Sequence, residues 1–193
     1  MCIRDRHYTL SLAPGASLEV AVCADPIRGA LGGPLDGRFT LAAESPVRGI
    51  ATSGWRGRSF SLGIADSVTV LAACASSADA AATIVANAVD VDDARIARAP
   101  ANSVRDDSDL GARLVTRAVP PLSADLVSTA LEGGAAEARA QVAAGRIIAA
   151  VLSLQGRWRV VGELHGRRDE RLVASAAPAP RRDRARGRAV EVC

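Results

Sequence analysis

The chain contains no lysine: all 24 basic residues are arginine. Aromatic residues make up only 3% of it, with two Trp, two Phe and one Tyr. Stacking platforms for single-stranded nucleic acid are therefore scarce. Cysteine is also sparse, with four in 193 residues and no Cys-x-x-Cys spacing. That excludes a disulfide scaffold, a zinc ribbon and a thioredoxin-type redox motif. Cys23 and Cys74 lie in apolar, strand-like runs and read as buried, inert thiols, which implies a reducing, cytoplasmic compartment. No apolar run is long enough to cross a bilayer; Ile147–Leu154 is far too short. There is no P-loop, no Gly-x-Gly-x-x-Gly and no Gly-x-Ser-x-Gly elbow.

What the chain does contain is apolar: 49% hydrophobic against 23% charged, enough to build a folded core. Alanine supplies about a fifth of the residues, well above ordinary usage, and with the arginine bias it reads as the imprint of a GC-rich gene. The formal charge of +3 sits entirely in residues 174–193. There Arg181, Arg182, Arg184, Arg186 and Arg188 face only Asp183 and Glu191. The rest of the chain balances, so it offers no basic surface to phosphate and no nucleic acid is expected as a partner. The Arg-, Pro- and Ala-rich tail reads as a disordered extension. The opening Met1-Cys2-Ile3-Arg4-Asp5-Arg6 matches translated sequencing-adapter DNA, so residues 1–6 are set aside, and residues 7–173 read as the C-terminal part of one domain.

Alternation marks the first third as strands. Tyr8, Leu10 and Leu12 share one face, Leu18, Val20 and Val22 another, and Ala13-Pro14-Gly15-Ala16 predicts a turn joining 8–12 and 17–23 as a hairpin. Strands are also expected at Phe39–Leu41 and Val47–Thr52, and 54–65 reads as a glycine-bearing connection. Ser67–Ala73 is an uncharged, β-branched run predicted as a central strand buried on both faces.

A helix should follow, with Ser76 or Ser77 as its N-cap and Asp79 in its first turn. Residues 100–109 read as a charged loop, and Leu110–Val119 as a strand stopped by Pro120-Pro121. Ser123 should start a long helix to about Ala144, interrupted at Gly133-Gly134 and closed by Gly145. Two strands around Gln155-Gly156 complete the order. The fold class expected is α+β: a mainly antiparallel sheet with helices packed on one face.

The residues with chemistry are few. His7 and His165 stand in no catalytic or metal motif and read as exposed histidines. Asp79 and Thr83 are one helical turn apart, with Asn87 a turn further on the same stripe. A carboxylate and a hydroxyl on one face can hold a hard cation such as Mg²⁺, which takes only one or two carboxylates and fills its shell with water and phosphate. The bland alternative is local: Asp79 caps the helix and Thr83 bonds back to a carbonyl.

Taken in order, Thr52-Ser53-Gly54, Asp66-Ser67-Val68-Thr69-Val70-Leu71-Ala72 and Ala78-Asp79-Ala80-Ala81-Ala82-Thr83 resemble successive motifs of the ApbE superfamily, the FAD:protein FMN transferases and their uncharacterised relatives. Leu18-Glu19-Val20-Ala21-Val22 with Asp25-Pro26 is similar to the strand after that family's Asn-Gly-Gly-Asp motif. Gly57-Arg58-Ser59-Phe60-Ser61-Leu62-Gly63 resembles a stretch of its compact branch. The resemblance covers roughly residues 8–92, with a weaker fit to about 162. It implies an ApbE-like, T-fold-like domain, Mg²⁺ held by Asp79 and Thr83, and FAD in a cleft lined by Thr52, Ser53 and Gly54. The implied reaction is attack of a protein hydroxyl on the FAD phosphate, leaving FMN on the protein and releasing AMP. The family's histidine before the Ser-Val-Thr-Val strand has no counterpart at Ser59–Ser61, so no catalytic residue is assigned. Two other readings stand beside a transferase: a non-catalytic flavin- or nucleotide-binding protein, and a structural or interaction module that forms a homo-oligomer.

Overall fold

The structure, a computed structural model, describes residues 7–22, 37–57, 59–163 and 190–192. Its centre is a five-stranded antiparallel sheet. In spatial order it runs β1 (His7–Thr9), β4 (Gly49–Ser53), β5 (Ser67–Ala72), β8 (Ala149–Leu154) and β9 (Arg157–Gly162). As the uncharged run predicts, β5 is the middle strand and every one of its residues is buried. Alternation then divides the sheet's two faces. Ala51, Val68, Val70, Ala72, Ala150 and Leu152 point to one side, where they pack under α1 (Ala75–Ala88) and α3 (Ala124–Ala143). Ile50, Leu71, Ala149 and Val151 point to the other side.

That second side is covered by a small sheet of β2 (Ser17–Val22) and β3 (Gly37–Ala42), antiparallel in the register Leu18↔Leu41 and Val20↔Phe39. The architecture is therefore α+β with helices on one face of an antiparallel sheet, as expected, and a second sheet on the other. A further strand, β10 (Val190–Val192), runs parallel to β2 within the tail expected to be without structure. The other tail residues, 174–189 and 193, lie outside the described residues, as do residues 1–6, Cys23, Asp25, Pro26 and His165. No helix among the described residues is long and apolar enough to cross a membrane.

Several local expectations need correction. The turn at Ala13–Ala16 exists, with the Ala16 amide donating to the Ala13 carbonyl at 2.9 Å and Gly15 at φ +75°. It does not close a hairpin: β1 pairs with β4 and β2 with β3, so the turn carries the chain from one sheet into the other. Residues 100–109 are not all loop. β6 (Ala97–Pro100) and the short α2 (Ala101–Val104) occupy the start of that region, and β6 pairs with β7 (Leu114–Ala118), which is shorter than the strand expected.

α3 begins as expected, the Ser123 side chain accepting from the Leu126 amide. It ends at Gly145, φ +68°, with the amides of Gly145 and Arg146 donating to the carbonyls of Val142 and Gln141, the paired bonds of a left-handed glycine stop. It is not interrupted at Gly133-Gly134. Those glycines let α3 lie against α1: a Cβ on Gly134 would meet Val89 Cγ2 at 2.2 Å, and one on Gly133 would meet the Ala88 carbonyl oxygen at 2.9 Å. The helix-breaking tendency of glycine, about 1 kcal/mol each, is offset by helix–helix contact that no other residue permits.

Candidate functional site

α1 carries most of the residues with chemistry. Its N-cap is Cys74, not Ser76 or Ser77, and the first turn holds no acidic residue. Asp79 therefore does not cap the helix; it lies in the second turn. The alanines Ala78, Ala81, Ala82 and Ala86, with Val85, face the core, which leaves Asp79 and Thr83 on the flank away from it. Thr83 is exposed and the Asp79 side chain is 47% exposed, so the i, i+4 pair is open to solute. The third member of the stripe, Asn87, has a structural task. Its Oδ1 accepts from the Leu62 amide at 2.9 Å and from the Ser61 hydroxyl at 3.3 Å.

Segment 59–63 is thereby held along α1. Gly63 is needed there, because a Cβ would come within 2.2 Å of the Ala86 carbonyl oxygen. The Ser61 carbonyl accepts from the Thr116 amide at 2.9 Å, and the Leu62 carbonyl accepts from Arg98, whose other nitrogen reaches Asp90 at 2.6 Å.

The three residues expected to line a cleft do not share one face. Thr52 alternates to the side opposite α1, where its hydroxyl meets Thr69 Oγ1 at 2.9 Å. The hydroxyls of Ser67 and Ser153, cross-strand partners on that same side, are buried with no hydrogen-bond partner among the described residues. Ser53 alternates toward α1 and is half-buried. Gly54 is buried for a packing reason, since a Cβ would lie 2.4 Å from the Asp66 carbonyl oxygen. The turn is braced by the Asp66 carboxylate, which accepts from Trp55 Nε1 at 3.1 Å, Arg56 Nε at 3.0 Å and the Gln155 amide at 2.6 Å.

Two residues near the start of α1 differ from their sequence reading. Cys74 is exposed, not buried. Its Sγ lies 3.3 Å from the Ser76 hydroxyl and 3.1 Å from that of Ser77. Those contacts, Ser76 first, favour the thiolate and lower the thiol to about 7. Alkylation of Cys74 by iodoacetamide, followed by mass spectrometry of its peptide, should rise through about pH 7 and level off above it. Replacing Ser76 and Ser77 by Ala should move that midpoint upward. A wild-type midpoint at the ordinary thiol value would contradict the assignment.

The second residue is His7. It is exposed, as expected, yet its Nδ1 stands 3.9 Å from Asp79 Oδ2. Nothing local in the sequence signals this, because it depends on β1 pairing with β4 beneath α1. Among the described residues, no group of three or more His, Cys, Asp or Glu side chains comes together as a metal cluster.

No curated protein and no solved structure matches the chain. A family model does, over residues 8–160, a span that takes in α1, α3, most of the five-stranded sheet and the site residues described above other than His7. On that match the chain belongs to the family described as AbpE bacteria.

Proposed function

We propose that the protein is ApbE-like and binds a flavin nucleotide, FAD, through a divalent cation held on the outer flank of α1 by Asp79 and Thr83. The observation that carries this reading is the exposure of both side chains one turn apart on a helix whose inner face, Ala78, Ala81, Ala82, Val85 and Ala86, is buried. The donor set fits the group. One carboxylate and one hydroxyl are hard oxygen donors, and their small number suits Mg²⁺, which keeps open places for water and phosphate oxygens. When bound, the cation would neutralise charge on the FAD pyrophosphate. Asp79 contributes the anionic ligand and Thr83 a neutral one. Asn87 holds Ser61 and Leu62 against the C-terminal end of the same helix, and Ser53 is the member of the Thr52–Gly54 turn on the same side of the sheet. Thr52 and Gly54 shape that turn from within, by pairing with Thr69 and by admitting Asp66.

Titration calorimetry with FAD, with and without Mg²⁺, tests the reading. Wild-type protein should bind FAD in a Mg²⁺-dependent manner, and Asp79→Ala should weaken that binding about tenfold, as for loss of a charge-assisted contact. Thr83→Ala should weaken it less. FAD binding that ignores both Mg²⁺ and Asp79→Ala would contradict the reading. Release of AMP with a Thr- or Ser-bearing acceptor protein would extend it to FMN transfer; Mg²⁺-dependent binding without AMP would identify a flavin-binding protein.

A further inference from the structure

We propose that His7 is a third protein ligand of the α1 cation, which makes the site a mixed nitrogen–oxygen one that favours a divalent transition metal such as Mn²⁺ over Mg²⁺. The inference rests on the reading that Asp79 and Thr83 hold a cation. His7 and Ala51 are cross-strand partners, and Ala51 belongs to the core beneath α1, so the imidazole rises on the helix side of the edge strand. There its Nδ1 faces Asp79 Oδ2 at 3.9 Å. That gap is too long for a hydrogen bond. Two donors that share a cation at about 2.1 Å each stand roughly 3.0–3.4 Å apart, so the pair needs to close by less than about 1 Å. With 41% and 47% of these side chains exposed, both can rotate that far.

The chemistry selects the metal. Imidazole nitrogen is a poor ligand for Mg²⁺ and a good one for first-row transition cations, while the carboxylate and hydroxyl suit Mn²⁺ as well as Mg²⁺. Among the described residues no other His, Cys, Asp or Glu joins the pair as a cluster. Thr83, water and ligand phosphate therefore complete the coordination.

The test is electron spin-echo spectroscopy of the full chain, free of any polyhistidine tag, with MnCl₂ alone and with MnCl₂ plus FAD. Bound Mn²⁺ should show ¹⁴N modulation from a directly coordinated imidazole. The modulation should vanish in both His7→Gln and His7→Phe, with Mn²⁺ affinity falling about tenfold or more and Mg²⁺ affinity changing less than about twofold. Circular dichroism is the check that each variant retains the fold, and either folded variant suffices. Mn²⁺ binding that depends on Asp79 but lacks ¹⁴N modulation would overturn the role of His7 and leave the cation reading intact. Modulation that persists in a folded His7 variant would assign the nitrogen elsewhere and likewise overturn it. No Mn²⁺ binding with or without FAD would overturn both.

Discussion

Gly49→Ala is expected to destabilise the protein by about 3 kcal/mol or more. Gly49 opens β4 on the side that faces α1, opposite Thr9 on one neighbour and Ala72 on the other. A Cβ there would lie 2.1 Å from the Cys74 carbonyl carbon, 2.2 Å from its oxygen and 2.4 Å from the Ala75 nitrogen. All three are backbone atoms at the N-terminus of α1, so no side-chain rotation relieves the contact. Either the helix start lifts from the sheet or β4 shifts in its pairing with β1 and β5. Urea denaturation reads the loss as a lower midpoint. Because the same movement displaces the turn that leads to Asp79, Mg²⁺-dependent FAD binding should fall with it even below the unfolding transition. A loss under about 1 kcal/mol would mean that α1 is not seated on β4 in this way.

Asp66→Ala should cost a comparable amount, about 3–4 kcal/mol. Asp66 is 8% exposed, and its carboxylate receives N–H groups from Trp55, Arg56 and Gln155. These donors come from the turn after β4 and the turn between β8 and β9, and the Asp66 amide itself donates to the Ser153 carbonyl at 2.9 Å. The side chain therefore ties the turn after β4 and the turn between β8 and β9 to the start of β5, and the backbone amide adds a bond that Ala would keep. Removal leaves three donors without an acceptor in a partly buried place, which costs more than the bonds contribute when made. Asp66→Asn is no remedy, because an amide NH₂ would face an N–H group on at least one side; it should recover less than half of the loss. Thermal unfolding gives the stability, and Trp55 fluorescence reports release of the turn. Wild-type stability in Asp66→Ala would show that the turn is held by packing alone.

The features that were legible in the sequence are the local ones. The continuous β-branched run of β5, the Ser123 cap, the Gly145 stop and the Gln155-Gly156 hairpin each depend on residues within a few positions of one another. Gln155 and Gly156 both adopt positive φ, at 46° and 75°, as a two-residue turn that matches strand twist demands. The Asp79–Thr83 spacing was legible for the same reason, because helical periodicity places i and i+4 together wherever the helix begins.

What was not legible depends on long-range choice. Alternation tells which residues of 8–22 share a face but not which strand each will meet, and both pairings lay elsewhere. Cys74 sits in an apolar run yet caps α1 in solvent, because the strand ends two residues earlier. Gly133-Gly134 resembles a break until α1 is known to press against it. Thr52 and His7 exchanged their apparent importance on the same ground. Cross-strand register sends the first to Thr69, away from α1, and brings the second to Asp79.

The central claim is that a divalent cation joins Asp79 and Thr83 to a flavin nucleotide. Crystals of the full chain grown with MnCl₂ and FAD test it most directly, by anomalous scattering at the manganese edge. The expected result is one strong peak about 2.2 Å from an oxygen of each of these side chains, continuous with the density of the pyrophosphate. FAD density without a cation on that flank of α1, or manganese bound only at other residues, would contradict it.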